Sequence, residues 1–266
     1  MPDNVSSTAK MFADDTKLYR QIKMFEDCHE LQDDLNNLSA WSAKWLLRFN
    51  ATKCVVLRIR LSFQYMYTLN GHALEAVPCQ KDLGVNISDT LKPNEHIASI
   101  IKRANQRVGM VKRCFTNLSA EKVKILYKSI IRPILEYASP TWNPNLKKDI
   151  NALEAVQRRC MRLAGEAITL PTLESRRMMT DLCEVYKYTH DLYKNGLTDM
   201  FNYSKNQLRG HPLKLQKKFC RTSIRQHFFS ERVISTWNGL PGEVVMAPSL
   251  ASFKHKLSSL PLFSTE

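Results

Sequence analysis

Apolar residues follow two different rhythms along this chain. Up to about residue 90 they fall in short alternating runs, and beyond Pro93 they recur every three or four positions. The segments "STAKMF" and "TKLYRQI" flank Ala13-Asp14-Asp15, which predicts two short antiparallel strands joined at an acidic tip. From Cys28 to Leu47 the apolar positions Leu31, Leu35, Leu38, Trp41 and Trp45 step by three and four, so an amphipathic helix is predicted. Acids cluster at its start (Glu26, Asp27, Glu30, Asp33, Asp34) and Lys44 and Arg48 lie at its end, complementing the helix dipole. On this reading Asp33-Asp34 is ordinary surface charge. "KCVVLRIR" predicts a strand. Asn70-Gly71 within "YMYTLNGHALEAV" is the strongest hairpin signal in the chain, because both residue types tolerate positive φ. "KDLGVNIS" reads as a short strand entered from a turn.

After Pro93 the pattern is helical. "IASIIKRANQRVGMVKRCF" sets Ile97, Ile100, Ile101, Ala104, Val108 and Val111 on one stripe with basic residues opposite. Ser119 is expected to cap "AEKVKILYKSII", which Pro133 should stop or kink. "ASPTWNPNLKKD" reads as a loop. "INALEAVQRRCMRLAG" and "LESRRMMTDLCEVYKYTHDLYKN" predict two further helices, and "RVISTWNGLP" and "SLASFKHKL" predict a short helix, a turn and a final helix. Strands with one helix followed by nearly continuous helix imply an α+β fold with a helical appendage.

Composition narrows this reading little, but charge changes it. The 266 residues are 44% hydrophobic and 24% charged, which is ordinary globular composition. No apolar run approaches the roughly 20 residues that span a bilayer, so no membrane partner is expected. Seven scattered cysteines with no C-x-x-C and no completing histidine read as reduced thiols of an intracellular protein, in nucleus or cytoplasm, without zinc. The net charge of +14 is localised: residues 98–132 hold 9 basic and 1 acidic side chain, residues 205–232 hold 8 and 1, and the other segments nearly balance. Charge blocked in this way points to a polyanionic partner, with a solubilising surface as the bland alternative.

Adjacent aspartates are common, and Asp14-Asp15 stands out only by its place at a hairpin tip. There two carboxylates are held close and exposed, and their repulsion favours a bound cation such as magnesium or a raised pKa, although an ordinary exposed acidic turn has the same pattern. The stretch "FADDTKLYRQIKMFEDCHELQDDLNNLSAWSAKWLLRFNATKC" resembles the C-terminal half of a reverse transcriptase palm from non-LTR (LINE-type) retrotransposons. The likeness continues in order through "KDLGV", "HIASIIKRANQRVG", "LYKSIIRPILEYASPTWNP", "LEAVQRRCMRLAG", "RGHPLKL", "FFSERVISTWNGLP" and "ASFKHKL", segments similar to the thumb and C-terminal extension of jockey- and CR1-like elements.

This resemblance implies a partial antiparallel palm sheet with a primer-grip strand over 1–90, a helical thumb over 91–145 and a mostly helical, basic extension over 146–266. Asp14 and Asp15 fall on the catalytic, metal-binding carboxylates, with Mg²⁺ or Mn²⁺ as the implied cofactor once a full palm is present. Lys53 matches a lysine that protonates the leaving pyrophosphate, although a solvated lysine before a strand looks the same. Phe12, Lys81 and Gly84 match primer-positioning sites. Lys102, Arg103, Arg107, Lys112 and Arg113 would track the phosphates of an RNA–DNA hybrid, unless they are simply a solvated helix face. Lys217, Lys218, Arg221 and Arg225, interleaved with Phe219, His227, Phe228 and Phe229, would meet single-stranded RNA template, although aromatic residues at such spacing are as often core.

Two-metal chemistry needs a further palm aspartate and fingers that hold the nucleotide. Only 13 residues precede Asp14, and Asp3 is too isolated among them to supply a strand. The 266-residue chain is therefore expected to be inactive alone, with the missing N-terminal half of such an enzyme as an implied partner. A non-catalytic RNA- or DNA-binding module and a nonfunctional element remnant are the competing readings.

Overall fold

The computed structural model describes residues 5–60, 64–193, 200–204 and 210–263. Asp3, the predicted helix beyond Tyr193 and positions 205–209 of the second basic block lie outside the described residues. The chain divides into two compact units, Met1–Leu91 and Lys92–Glu266.

The first unit opens with the expected hairpin. Strands β1 (Thr8–Phe12) and β2 (Asp15–Tyr19) pair antiparallel in a register that sets Phe12 opposite Asp15. Helix α1 (Phe25–Trp45) follows, its first turn closed by the Asp27 carboxylate, which accepts from the Lys23 and Met24 amides at 2.7 and 3.0 Å. Strands β3 (Val55–Leu57) and β6 (Glu75–Val77) pair in parallel around the hairpin of β4 (Thr68–Leu69) and β5 (His72–Ala73), and β7 (Cys79–Asp82) pairs antiparallel with β8 (Val85–Ser88). The Asn70-Gly71 turn forms as the sequence predicts, with φ of 52° and 78°.

Three expectations need correction. The described strands pair two by two in four separate ladders rather than in one antiparallel sheet, and β3–β6 is parallel. With two to five residues each, these strands are too short to build a broad sheet. The fully buried positions of α1 are Cys28, Asp34, Leu38 and Ser42, whereas Trp45 is exposed and Leu31, Leu35 and Trp41 are only half-buried. Asp34 is therefore not surface charge. It is 3% exposed, and its carboxylate accepts from the Ser6 and Ser7 amides at 2.8 and 2.7 Å and from the Ser6 hydroxyl at 3.1 Å. Arg20, just after β2, lies 3.9 Å from the same carboxylate, pairs with Glu30 and donates to the Ser6 hydroxyl at 3.0 Å. One aspartate on α1 thus holds both feet of the hairpin.

In the second unit, α2 (Asn94–Cys114) buries Ile97, Ile100, Ala104, Val108 and Val111 against α6 (Lys147–Met161), which contributes Leu153, Val156 and Cys160. Between them, α3 (Ala120–Leu126) begins at Ser119, but the Ser119 side chain makes no cap bond; Glu166 accepts from the Ala120 amide instead, at 2.9 Å. The disturbance expected at Pro133 takes the form of a π turn over Tyr127–Ile131 that runs into α4 (Arg132–Glu136). Widening the helix just ahead of the proline accommodates its ring and missing N–H without ending the helix. Part of the predicted loop at 138–149 is a single helical turn, α5 (Ser139–Trp142), entered through Ala138 at φ 52°.

After the short α8 (Ser223–Gln226), the helices α9 (Phe229–Arg232), α10 (Ile234–Asn238), α11 (Gly242–Val245) and α12 (Leu250–Ser258) pack with α7 (Leu173–Thr189) around the fully buried Trp237. Polar bonds fasten distant segments together. Arg232 donates to both Asp181 oxygens at 2.9 Å and to the Pro140 carbonyl at 2.9 Å, while Asn143 bridges Asp181 and Arg177. His211 Nε2 lies 3.0 Å from the Trp237 carbonyl, and the Trp237 indole donates to the Leu213 carbonyl at 2.8 Å.

Burial pushes the Asp34 carboxyl up, but the bonds from Ser7 and Ser6 outweigh it and hold the group below the ordinary 3.8. A depressed folded-state value favours folding at every pH above 3.8, and that contribution is lost as pH falls through 3.8 toward the lower folded value. Asp34→Ala is expected to destabilise the first unit by about 2–4 kcal/mol, because it strands the Ser6 and Ser7 donors and leaves Arg20 with Glu30 as its remaining charge partner. Asp33→Ala should stay within about 0.5 kcal/mol. Hydrogen exchange over residues 6–20 of the full chain, at neutral pH and near pH 3, reads both effects; equal protection in the two variants contradicts the clamp.

Candidate functional site

The hairpin tip is a two-residue turn of Ala13 and Asp14, with Asp15 as the first residue of β2. Ala13 takes φ 52°, a left-handed conformation that costs an L-residue roughly 1–2 kcal/mol and normally selects glycine or asparagine. Phe12, Asp14 and Asp15 are all exposed. Among the described residues, no hydrogen bond or ion pair engages either carboxylate.

The second hairpin stands beside the first. Its turn is Leu83-Gly84, at φ 44° and 87°, between Asp82 and Val85. Asp82 forms an ion pair with Lys17 of β2, which joins the acidic hairpin to the "KDLGV" segment. Asp82 was not among the residues singled out from the sequence; the only signal for it was its place as the closing residue of that turn. Lys81 is exposed and faces Asn86 across the ladder, and Gly84 supplies the positive φ that the turn requires. Lys53 ends a 3-10 turn (Ala51–Lys53) and is exposed; no direct bond joins it to Asp14 or Asp15.

The implied divalent metal can be tested against this donor set. Two adjacent exposed carboxylates are the whole of it, and no group of three or more His, Cys, Asp or Glu side chains able to hold a metal occurs among the described residues. The residues described here do not make a metal centre by themselves.

In the second unit, α2 turns Lys102, Arg103, Arg107, Lys112 and Arg113 to solvent while its apolar stripe is buried. Arg103, Gln106, Arg107 and Met110 line a groove of about 210 Å³ closed by Ile134 of α4. The second basic block is more heterogeneous. Lys218 and Arg221 are exposed, Lys217 donates to the Ser235 hydroxyl at 2.8 Å, and Arg225 pairs with the buried Glu231 at 3.1 Å while stacking over Phe228. Of the aromatic residues, Phe229 packs against the core around Trp237, whereas Phe219 stands in solvent.

Comparison with known proteins accords with the motifs. The chain is 25% identical over 170 residues to a probable RNA-directed DNA polymerase from transposon BS of Drosophila melanogaster, covering 61% of this chain and 19% of that protein. It is 26% identical over 157 residues to the RNA-directed DNA polymerase from the mobile element jockey of the same species, covering 57% of this chain and 17% of that protein. The jockey polymerase of Drosophila funebris matches to the same extent. The chain thus spans less than a fifth of the length of these relatives. No family model matches, and no solved structure matches. The homologues are polymerases of jockey- and BS-type non-LTR retrotransposons, the class that the sequence motifs resemble.

Among the described residues, no helix is long and apolar enough to cross a membrane, and all seven cysteines are free. Replacing Ala13 by glycine should relieve the left-handed strain at the tip and raise the stability of the first unit by up to about 1 kcal/mol. Urea unfolding of the full chain measures it; a loss of stability argues against the turn described.

Proposed function

We propose that this chain is a section of an RNA-directed DNA polymerase of the non-LTR mobile-element type, which binds nucleic acid and does not by itself catalyse nucleotidyl transfer. The observation that carries the reading is the likeness to the BS and jockey polymerases over about three fifths of the chain. The acidic pair on an exposed, strained hairpin tip supports it, because that is where such a polymerase needs carboxylates.

On this reading residues 1–90 are part of a palm, 91–145 a thumb and 146–266 a C-terminal extension. Asp14 and Asp15 are the palm carboxylates, Lys53 is the acid for the leaving group, and Phe12, Lys81 and Gly84 help to place the primer end. Lys102, Arg103, Arg107, Lys112 and Arg113 follow the phosphates of an RNA–DNA hybrid. Their contacts are sequence-independent, since they go to phosphates, which carry no base identity. Two carboxylates fall short of the set that two-metal nucleotidyl transfer needs, so magnesium or manganese chemistry awaits a further palm segment, and no step is assigned to this chain alone. The protein acts inside the cell, in nucleus or cytoplasm.

Primer extension by the 266-residue chain on an RNA template, with Mg²⁺ or Mn²⁺, is expected to give no incorporation. Incorporation that Asp14→Ala abolishes would overturn the non-catalytic reading. Filter binding of an RNA–DNA hybrid should weaken linearly in log–log form as salt rises. Replacing Lys102, Arg103 and Arg107 by glutamine should reduce that slope by about 2–3, close to one counterion per lost charge. An unchanged slope makes this helix face merely solvated.

A further inference from the structure

The segment from Gln216 to Thr222 has no regular structure, yet it is fastened at both ends. At its start, Leu215 is buried and exchanges two hydrogen bonds of 2.8 Å with the Asn238 side chain, and Lys217 is tied to Ser235. At its end, the Thr222 hydroxyl caps α8 and Phe229 enters the core. Midway between these anchors Phe219 is 91% exposed, the most exposed of the large apolar side chains described. Lys218 and Arg221 beside it are also exposed, and among the described residues no hydrogen bond or ion pair engages the charged end of either side chain. No acidic residue occurs between 205 and 230. Phe228, about half exposed beneath the Arg225 guanidinium, provides a second aromatic face nearby in sequence.

We infer that residues 216–228 form a binding surface for single-stranded nucleic acid, in which a base stacks on Phe219 while Lys218 and Arg221 hold the flanking phosphates. An exposed ring between unpaired cations suits a strand with alternating π faces and negative charges. It does not suit a duplex, whose bases are already stacked. The anchored ends hold the ring out in solvent, so binding need not first pull it from a core. This rests on the nucleic-acid reading above but concerns a surface separate from the α2 face, so the two can fail independently.

The test is fluorescence-anisotropy binding of the full chain to three probes: a 20-nucleotide oligouridylate, an abasic oligomer of the same length, and an RNA–DNA hybrid. Phe219→Ala, which removes only an exposed side chain, should weaken oligouridylate binding about tenfold or more while leaving the abasic and hybrid affinities unchanged. Phe219→Trp should keep the affinity, and its indole emission should be quenched as oligouridylate is added. Lys218→Gln with Arg221→Gln should reduce the salt slope for oligouridylate by about 1.4. Equal losses on all three probes, or no loss on any, would each overturn the proposal. If hybrid binding also fails in wild type while oligouridylate binding persists, only the α2 reading falls.

Discussion

A single buried carboxylate organises the first unit. Among the described residues the buried apolar ones there are few (Cys28, Leu38, Ala51, Tyr67, Leu69 and Val85), and short ladders with open edges cannot hold one another in place. Asp34 makes up for this by receiving the chain just before β1 and, through Arg20, the chain just after β2. Taking a carboxylate out of water costs several kcal/mol, so the arrangement holds only because its acceptor sites are filled by amides and hydroxyls at good distances. The clamp grips the feet of the hairpin and leaves its tip free. That is why Asp14 and Asp15 can stand in solvent on a defined ribbon rather than on a loop.

What the sequence disclosed follows the range of each signal. Local periodicity placed α1, α2, α6 and α7, and the Asn70-Gly71 turn needed no more than two residue types that accept positive φ. Asp34 was misread because acids near a helix start usually face water, and nothing nearby in sequence reveals that Ser6 and Ser7 will meet it. Its line with Leu38 and Ser42, at steps of four, was the available hint. The two-by-two pairing of strands was likewise hidden, since alternation predicts a strand but not its partner. At the candidate site the acidic tip was legible and the neighbouring Asp82 was not, because the Lys17–Asp82 pair spans sixty-five positions.

Formal charge and available charge also part company in the second unit. Residues 205–232 hold eight basic side chains, yet Arg232 is paired with Asp181 and Arg225 with Glu231, and Lys217 is tied down by a bond to the Ser235 hydroxyl. The Asp181–Arg232 bond is structural: it fastens α7 to α9 and, through the Pro140 carbonyl, to α5. A buried, doubly bonded pair of this kind fixes geometry even where its net energy is small. The first block differs on α2, where the burial of Ile97, Ile100, Ala104, Val108 and Val111 turns Lys102, Arg103, Arg107, Lys112 and Arg113 outward and no ion pair among the described residues engages them, whereas Arg132 of the same block pairs with Glu136. A block of positive charge is therefore informative only after the side chains bound within the protein have been set aside.

The two hairpin tips share a feature that follows from neither charge nor core. Ala13 and Leu83 both hold positive φ, where an L-residue is strained, and each tip belongs to a ladder too small to be stable alone. Such strain persists only if the surroundings over-determine it. For the first hairpin the surroundings are the Asp34 clamp at the feet and the Lys17–Asp82 pair along β2; for the second they are the buried Val85 and Ser88 and the same ion pair. An exposed pair contributes only about 0–1 kcal/mol, too little to bear the strain of both turns. Most of the restraint must then come from the buried feet, and the ion pair sets the spacing of the tips. A change at the clamp should be felt at Asp14 and Asp15, whereas a change at either carboxylate should leave the clamp intact.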